Sequence, residues 1–258
     1  MTQTTTAKLV ATDGVNIVGN FATAPTYTKY DANNVPTKQT VLTSSVVFPV
    51  NGAMDIENAD IRMQGECGYA LNIPATAGDI VCANNTITYE AGTPTVCVRN
   101  FYGINATKAG IVLDNNKVDL SAVNGTVINS NNGKTVAPNI YALKIAKTNI
   151  SIKGSESLYK VDATGTNNYS VYGGTTYVLS IEDGVFVGKL QGGFVVSGGK
   201  FTHKPDVRYV AANSYFEKEG EYYVVKHGKS YVVRINGVDY LDTDDWGAAC
   251  SHSADTYT

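Results

Sequence analysis

The sequence predicts an all-β protein whose central part is a right-handed parallel β-solenoid. Only 17% of the 258 residues are charged, against about 25% in an average globular chain. Uncharged Thr, Asn, Ser and Gly must therefore cover the surface, and these residues favour strands and turns over helix interiors. Short runs of alternating apolar and polar residues recur along the chain between turn residues, which is typical of strands with one buried face.

Residues 1–52 are predicted to form a β-rich N-terminal cap or attachment segment. Val15–Gly19 alternates as a strand does, and longer Thr-rich runs follow with Pro25, Pro36 and Pro49 between them. The N-terminus has neither the charged start nor the apolar core of a secretory signal. If Met1 is the natural start, we expect the chain to fold in a cytoplasm, whereas a secreted bacterial protein would need a leader that has been removed.

Residues 53–201 are predicted to form the β-solenoid, because short strands and polar corners repeat there and each such unit can bury its inward side chains only on its neighbours. Ala137–Lys147 has a weakly helical pattern, but the run directly after it favours a strand or a single turn. The strand-like runs are Asp55–Met63, Thr86–Tyr89, Ile111–Leu113, Lys117–Leu120, Thr126–Ile128, Asn149–Ile152, Tyr177–Ile181 and Gly193–Val196.

Pairs of adjacent asparagines are predicted to mark the corners, because Asn tolerates the left-handed backbone conformation. The pairs occupy 33–34, 84–85, 115–116, 131–132 and 167–168. A sandwich built from hairpins is the alternative, since six Asn-Gly or Asp-Gly dipeptides could each form a two-residue hairpin turn. The looser strand-and-corner pattern favours the solenoid.

Residues 202–258 are predicted to form an aromatic-rich hairpin cap. A solenoid needs its ends covered, because an open coil exposes a sheet edge. Tyrosines become frequent after Phe201, and Val232–Tyr240 reads as a hairpin that turns at Asn236-Gly237.

The junction between the solenoid and this cap resembles a recurring element of large surface proteins from gut bacteria and some of their phages. The residues that carry the resemblance are Phe194–Phe201, which contain Ser-Gly-Gly, then Tyr209–Ala211 and Gly220–Val225. In those proteins an I-S-G-G-x-F coil leads through a Y-V-A turn to a closing D-G-x-Y-x-V hairpin. The resemblance covers about 30 residues, implies a right-handed parallel β-helix and implies no activity. Gly220-Glu221 stands where that pattern has Asp-Gly.

The four cysteines do not form a metal motif. Cys67, Cys82 and Cys97 lie 15 residues apart, and Cys250 stands alone near the end. The even spacing suggests stacked positions in successive coils. Four cysteines in a chain of this size are too few for a disulfide scaffold, so buried reduced thiols are the simplest interpretation, although the sequence leaves the disulfide state open.

Composition and motifs argue against several classes of function. A net charge of −3 provides no basic field for nucleic acid, and no apolar run reaches the roughly 20 residues that span a bilayer as a helix. The chain has no phosphate loop, zinc motif, nucleophile elbow or dinucleotide fingerprint. We therefore expect no cofactor, no metal site, no nucleic-acid partner and no membrane insertion.

Three polar clusters could carry catalysis or metal binding, and each also has a simpler interpretation. His203–Arg208 offers the base and cation of a polysaccharide lyase, but one contiguous loop rarely provides that whole set, so a solvated loop is favoured. Asp55, Glu57, Asp60 and Glu66 could pair as the acid and base of a glycoside hydrolase. Asp55 and Glu57 share a strand face, which also matches an ordinary solvated face. Asp242–Trp246 resembles a calcium loop but lacks its Gly and distal Glu. We expect no catalytic residue.

The aromatic residues of the cap are the candidate ligand-binding residues, because aromatic rings pack well on the faces of sugar rings. Packing within the cap or against a neighbouring subunit is an equally good interpretation. The candidate glycan-binding residues are Tyr215, Tyr222, Tyr231, Tyr240 and Trp246.

Together these features predict a non-enzymatic structural protein of a bacteriophage virion, either a capsid decoration or a component like a head fibre or tail spike. We expect it on the virion surface, self-associating, for example as a trimer, contacting other virion proteins and binding glycans of the host surface. A secreted bacterial surface adhesin with the same coil is the alternative. A polysaccharide lyase or hydrolase is a third class that the residues leave open.

Overall fold

The computed structural model describes most of the chain after residue 53 and separate strands before it. Within the described residues the protein is all-β and most strand pairs are parallel. The described residues are 8–10, 15–20, 26–30, 36–41, 45–47, 54–64, 68–77, 80–91, 96–97, 100–123, 125–129, 133–147, 149–174, 178–228, 231–235, 238–243, 247 and 250–251.

The described residues form 28 strands, and a 3-10 helix at Val207–Tyr209 follows the twenty-fourth of them. In chain order the strands are β1 Lys8–Val10, β2 Val15–Asn20, β3 Thr26–Tyr30, β4 Pro36–Val41, β5 Ser45–Val47, β6 Met54–Gln64, β7 Gly68–Ile73, β8 Ile80–Ala83, β9 Thr86–Ala91, β10 Val96–Cys97, β11 Asn100–Ala106, β12 Val112–Asp114, β13 Lys117–Asp119, β14 Val127–Asn129, β15 Thr135–Val136, β16 Asn139–Ile145, β17 Ile150–Lys153, β18 Leu158–Lys160, β19 Asn168–Tyr172, β20 Val178–Ile181, β21 Val185–Val187, β22 Lys189–Gln191, β23 Gly193–Val196, β24 Lys200–Phe201, β25 Ser214–Glu219, β26 Tyr222–His227, β27 Tyr231–Ile235 and β28 Val238–Thr243.

Three ladders of parallel strands organise the molecule. The first ladder is β1-β5-β7-β11-β16-β19-β22, the second is β6-β8-β12-β17-β20-β23, and the third is β6-β9-β13-β18-β21-β24. The long strand β6 belongs to both the second and the third ladder, and it also pairs with β2. From β7 to β24 the chain makes five successive passes, each of which contributes one strand to the first, then the second, then the third ladder.

Additional strands lie between the third ladder and the return to the first. The hairpin β3-β4 precedes β5, β10 precedes β11, and the hairpin β14-β15 precedes β16. Strand β10 pairs in parallel with β14, so the additional strands of two successive passes contact each other. Because of these additional strands, successive passes contain different numbers of residues.

Aliphatic and aromatic side chains form the core as columns that follow the strand register. In the third ladder the inward column is fully buried along its whole length. Parallel pairing without a register shift at these positions places each of these side chains on the next one. The column consists of Ile61, Ile87, Val118, Tyr159, Phe186 and Phe201.

Asparagine corners join the second ladder to the third. Asn84 and Asn115 adopt the left-handed conformation with φ of 56° and 49°, which confirms the predicted corners at 84–85 and 115–116. The buried Asn85 side chain donates to Asn116 Oδ1 at 2.9 Å, and Asn116 donates to the Cys82 carbonyl at 3.0 Å. These amides therefore satisfy one another inside the core.

The other three asparagine pairs do not form left-handed corners among the described residues. The pair at 167–168 lies where a turn ends and β19 begins, so the predicted bend is confirmed, but neither residue has the predicted left-handed conformation, and Asn168 donates to the Asp162 carbonyl at 2.9 Å. The pairs at 33–34 and 131–132 lie outside the described residues.

Antiparallel hairpins follow the last parallel strands. Strand β26 pairs with β24 and with β25, while β27 and β28 form the predicted hairpin, with Ile235 opposite Val238. The strand at Asn139–Ile145 confirms that the region with a weak helical pattern is extended. Among the described residues, no helix is long and apolar enough to cross a membrane.

The predicted domain boundaries at 52 and 201 stay predictions. Strands β1, β2 and β5, all from the segment 1–52, pair in parallel with each other or with strands of the central segment. The segment after residue 201 contributes the two antiparallel hairpins.

Candidate functional site

A column of tyrosines runs along the outer face of the first ladder. The register places Tyr69 beside Tyr102, Tyr102 beside Tyr141, and Tyr141 beside Tyr169. Successive ring centroids are 5.1, 5.5 and 6.0 Å apart, with interplanar angles of 20°, 32° and 38°. The four rings therefore form a continuous aromatic strip across four strands, roughly 14 Å long at the usual spacing between strands.

Local sequence explains why these tyrosines point outwards in register. Each is followed by a small residue and then by an aliphatic one, as in Tyr-Ala-Leu at 69–71, Tyr-Gly-Ile at 102–104, Tyr-Ala-Leu at 141–143 and Tyr-Ser-Val at 169–171. Both residues after the tyrosine are buried. The first must be small, because a Cβ on Gly103 would overlap Val118 and approach the Ala142 carbonyl oxygen to 2.6 Å.

A second outward column broadens the strip at one end. Tyr172 stacks on Tyr141 with centroids 4.5 Å apart and contacts Tyr169 edge to face at 5.2 Å. Lys144 places its ammonium 5.7 Å from the centroid of Tyr102, within the range of a cation–π contact. Burial is the largest influence on Tyr102 and raises the pKa of its phenol, so the Tyr102 hydroxyl stays protonated at neutral pH.

The strip ends at a pocket of about 440 Å³. Lys189 takes the register position that follows Tyr169, so aromatic stacking stops there. The pocket lies where β19 and β22 of the first ladder, β23 of the second ladder and the loop 202–209 meet. Its aromatic lining is Tyr169, Phe194 and Tyr209, of which Phe194 and Tyr209 pack edge to face at 5.4 Å.

The charged lining of the pocket comes from β22 and from the loop. Lys189 donates to the carbonyl oxygens of Gly165 and Thr166, each at 3.3 Å. Lys204 is exposed, and Asp206 caps the 3-10 helix by accepting from the Arg208 backbone N–H at 3.0 Å. Hydrogen bonds from the Arg208 side chain lower the pKa of Asp206.

The loop His203–Arg208 therefore contributes to the pocket, which its sequence did not indicate. It was interpreted as a solvated loop in preference to a lyase centre, and the structure brings four of its residues, 203–206, into the lining of the pocket. The His203 Nδ1 atom lies 3.2 Å from the Thr202 hydroxyl.

Two of the predicted glycan-binding residues, Tyr215 and Tyr222, lie outside the lining of this pocket. Tyr215 and Tyr222 are half-buried on β25 and β26, where they pair with Lys226 and Glu219. Tyr231 and Tyr240 belong to β27 and β28, whose side chains are not among those described. Trp246 lies outside the described residues. Their role in glycan binding stays a prediction. The tyrosine strip of the first ladder was missed by the sequence analysis, although its Tyr-small-aliphatic repeat is visible in the sequence.

The remaining candidates yield no site. Cys82 is buried and reduced, and burial raises the pKa of its thiol to about 12. Strand β10, which contains Cys97, pairs with β14 and not with the ladder of Cys82, so the idea that these two cysteines stack was wrong. Cys67 lies outside the described residues.

The acidic candidates are only partly described. Glu57 is half-buried on β6, whereas the side chains of Asp55 and Asp242 lie outside the described part of the structure. The structure describes no group of three or more His, Cys, Asp and Glu side chains that could hold a metal, in the part of the chain for which side chains are given.

Comparison of the chain with protein-family models, with curated proteins and with solved structures finds no match.

Proposed function

We propose that this protein is a non-enzymatic structural β-solenoid that binds surface glycans. The observation that carries the proposal is the outward tyrosine strip that ends at the pocket. Tyr69, Tyr102, Tyr169 and Tyr172 are half-buried and Tyr141 is 8% exposed, so a ligand on this sheet face would meet parts of several stacked rings. The Tyr169 ring at the end of the column lines the pocket, where it can pack on a sugar ring.

The three ladders support the solenoid part of the proposal. Parallel strands visited repeatedly in one order, with inward columns of aliphatic and aromatic residues, are what stacked coils require. A right-handed path is proposed because parallel crossovers in a sheet are right-handed in about 98% of cases.

The pocket's chemistry supports a binding role over catalysis. Hydrolysis of glycosides commonly uses two carboxyl groups. Among the described lining residues Asp206 is the carboxylate, and its Oδ2 atom accepts from both Nε and Nη2 of Arg208. Lyase chemistry would need a base aimed at a sugar carbon, whereas Lys189 is engaged by two backbone carbonyls.

A place on the surface of a bacteriophage virion is proposed from the coil that resembles phage and gut-bacterial surface proteins and from the weak charge of the chain. A secreted or cell-surface bacterial adhesin with the same solenoid is the alternative, and glycan binding by the tyrosine strip fits it equally. Detection of the chain in purified phage particles would separate the two.

Substitution of Tyr169 by alanine tests glycan binding. We expect Tyr169→Ala to weaken binding to oligosaccharides on an immobilised panel by about tenfold, equivalent to about 1.4 kcal/mol, because it removes the ring that lines the pocket at the end of the strip. The panel should include neutral hexose polymers, polyuronates and sialylated chains, and bio-layer interferometry would supply the dissociation constants.

Tyr222→Ala is the matched control for this experiment. Tyr222 is also a half-buried tyrosine on a strand, but it lies on the hairpin β25-β26 and does not line the pocket. Unchanged binding by Tyr169→Ala together with a loss in Tyr222→Ala would move the site to the cap. Failure of the unmodified protein to bind any glycan on the panel would contradict the proposed function.

Self-association is the second testable part. Val81 and Val112 occupy neighbouring register positions on β8 and β12 of the second ladder and are 42 and 44% exposed, so they form an apolar patch that a second copy can cover. We expect a trimer or larger assembly in size-exclusion chromatography with light scattering, and Val112→Glu should dissociate it. A monomer at all concentrations tested would contradict this part of the proposal.

A further inference from the structure

The pocket at the end of the tyrosine strip carries an excess of positive charge. Lys189 and Lys204 line it, together with His203 and one carboxylate, Asp206. Lys204 is exposed, and no ion pair involving it occurs within the described part of the chain. The balance of charge in the lining therefore depends on whether Asp206 is available to offset the lysines.

Arg208 already neutralises Asp206. The guanidinium donates from Nε at 3.0 Å and from Nη2 at 2.7 Å to the same carboxylate oxygen, Oδ2. The other oxygen, Oδ1, accepts the Arg208 backbone N–H at 3.0 Å. Because this paired geometry uses both oxygens, the two lysines are left without a compensating charge in the pocket.

Lys189 is fixed in position although its charge is not balanced. The backbone carbonyls of Gly165 and Thr166 hold its ammonium at 3.3 Å each, and a carbonyl carries no formal charge. An ammonium has three N–H donors, so one remains for a ligand. A positioned cation loses less entropy on binding than a mobile side chain does.

Aromatic rings lie beside these cations. Tyr169 ends the tyrosine strip one register position before Lys189, and Tyr209 packs edge to face on Phe194 on the loop side of the pocket. A ligand that satisfies both features must present a flat, weakly polar ring face and a negative charge on the same unit.

We propose that the pocket selects a sugar that carries a carboxylate, either a hexuronic acid or a sialic acid, at or near the end of a glycan chain. This inference rests on the proposed glycan binding and names its ligand class. The sugar ring packs on Tyr169 or Tyr209, and the carboxylate is held by Lys189 and Lys204, while the tyrosine strip contacts the adjoining sugars.

The test compares acidic and neutral oligosaccharides of equal length by isothermal titration calorimetry. The probes are a trigalacturonate, 3′-sialyllactose, and the neutral trisaccharides maltotriose and galactotriose. We expect at least one acidic probe to bind about tenfold or more tightly than the neutral ones, and to lose that advantage as sodium chloride is raised from 20 to 500 mM (on the order of a Debye-length change from 20 to 4 Å), because salt screens exposed charges. The two acidic probes distinguish uronate from sialate.

Lys204→Gln tests how much the positive charge of Lys204 contributes to the preference for acidic sugars. The side chain is exposed, so the variant is expected to unfold at the same temperature as the unmodified protein, to lose the preference for the acidic probe and to bind neutral probes as before. Lys200→Gln on β24 is the matched control, since Lys200 is also exposed but does not line the pocket, and it should keep the preference.

The outcomes separate this inference from the proposed function. Equal affinity for neutral and acidic probes, unchanged by Lys204→Gln, would overturn the acidic-sugar inference and leave glycan binding intact. An acidic preference that Lys200→Gln removes and Lys204→Gln does not would place the anion site elsewhere and also overturn it. Absence of binding to every probe and to the wider glycan panel would overturn both.

Discussion

Phe186→Ala is expected to lower the free energy of unfolding by about 3–5 kcal/mol, the usual cost of removing a buried phenylalanine ring. Phe186 is 0% exposed and lies in the inward column of the third ladder. Its ring stacks on Tyr159 at 5.6 Å and on Phe201 at 4.9 Å, with interplanar angles of 10° and 11°. Equilibrium unfolding in urea, followed by far-UV circular dichroism, would measure the loss.

The size of the effect follows from the position of the ring between two others. Alanine would leave a cavity that neither neighbour can fill, because strand pairing fixes Tyr159 and Phe201 one strand away on each side. Two aromatic contacts, each worth about 0.5–1.5 kcal/mol beyond the burial of area, would be lost at the same time.

Two control variants make the prediction specific. Val187→Ala shortens the next side chain, which is half-buried on the outer face, and should cost about 1 kcal/mol or less. Tyr159→Phe keeps the ring and removes a buried hydroxyl that has no hydrogen-bond partner within the described structure, so stability should stay the same or rise by about 1 kcal/mol. A loss in Val187→Ala as large as in Phe186→Ala would contradict the stacked-column account.

Several strands of the second and third ladders, namely β6, β9, β12, β13, β17, β20 and β23, could be predicted from the sequence because their side chains alternate, whereas β8, β18 and β21 were not among the predicted runs. Ile150–Lys153, for example, alternates buried and outward positions, and its predicted run at Asn149–Ile152 differs by one residue. Corners at Asn84-Asn85 and Asn115-Asn116 were also predictable, since the left-handed conformation restricts the choice of residue.

The first ladder could not be predicted in this way. In β7 the adjacent residues Ala70 and Leu71 are both buried, and in β16 Ala142 and Leu143 are both buried. Two consecutive inward residues break the period of two that identifies a strand. Strand β16 therefore looked weakly helical, and β7, β11 and β19 were not recognised as strands.

The tyrosine strip was missed for a related reason. Its members lie 33, 39 and 28 residues apart, from Tyr69 to Tyr102, Tyr141 and Tyr169, because segments of different length separate the passes through the first ladder. A search for a constant period cannot detect them. A search for the local pattern of tyrosine, small residue and aliphatic residue could have found all four.

The prediction of binding residues in the cap depended on the local density of tyrosines, whereas the tyrosine strip depends on strand register. Counting tyrosines favours residues after 201, where Tyr215 and Tyr222 lie on one hairpin, whereas the rings that stack in register belong to separate strands distant in sequence. Strand register determines which tyrosines stack, and register depends on how strands of successive passes pair, not on how many tyrosines a segment contains.

Gly198→Ala is expected to lower the free energy of unfolding by about 3 kcal/mol, at the upper end of the usual cost of overpacking. Gly198 lies in the Ser-Gly-Gly segment that connects β23 to β24. A Cβ there would overlap the carbonyl oxygen of Glu182 and lie 2.9 Å from its carbonyl carbon. Both atoms belong to the backbone of the preceding pass, so no side-chain rotation can relieve the overlap, and thermal and urea unfolding would measure the loss.

Gly110→Ala is the matched control, because it separates close packing from backbone conformation. Gly110 has φ of +76°, and a Cβ there would have no atom within 4 Å, so its substitution costs only the left-handed strain of about 1–2 kcal/mol. If Gly198→Ala destabilises the protein more than Gly110→Ala does, the glycine sets how closely two successive passes approach at this corner. An equal or smaller loss would mean that the corner can shift outwards, and the Ser-Gly-Gly segment would then be explained by its turn conformation alone.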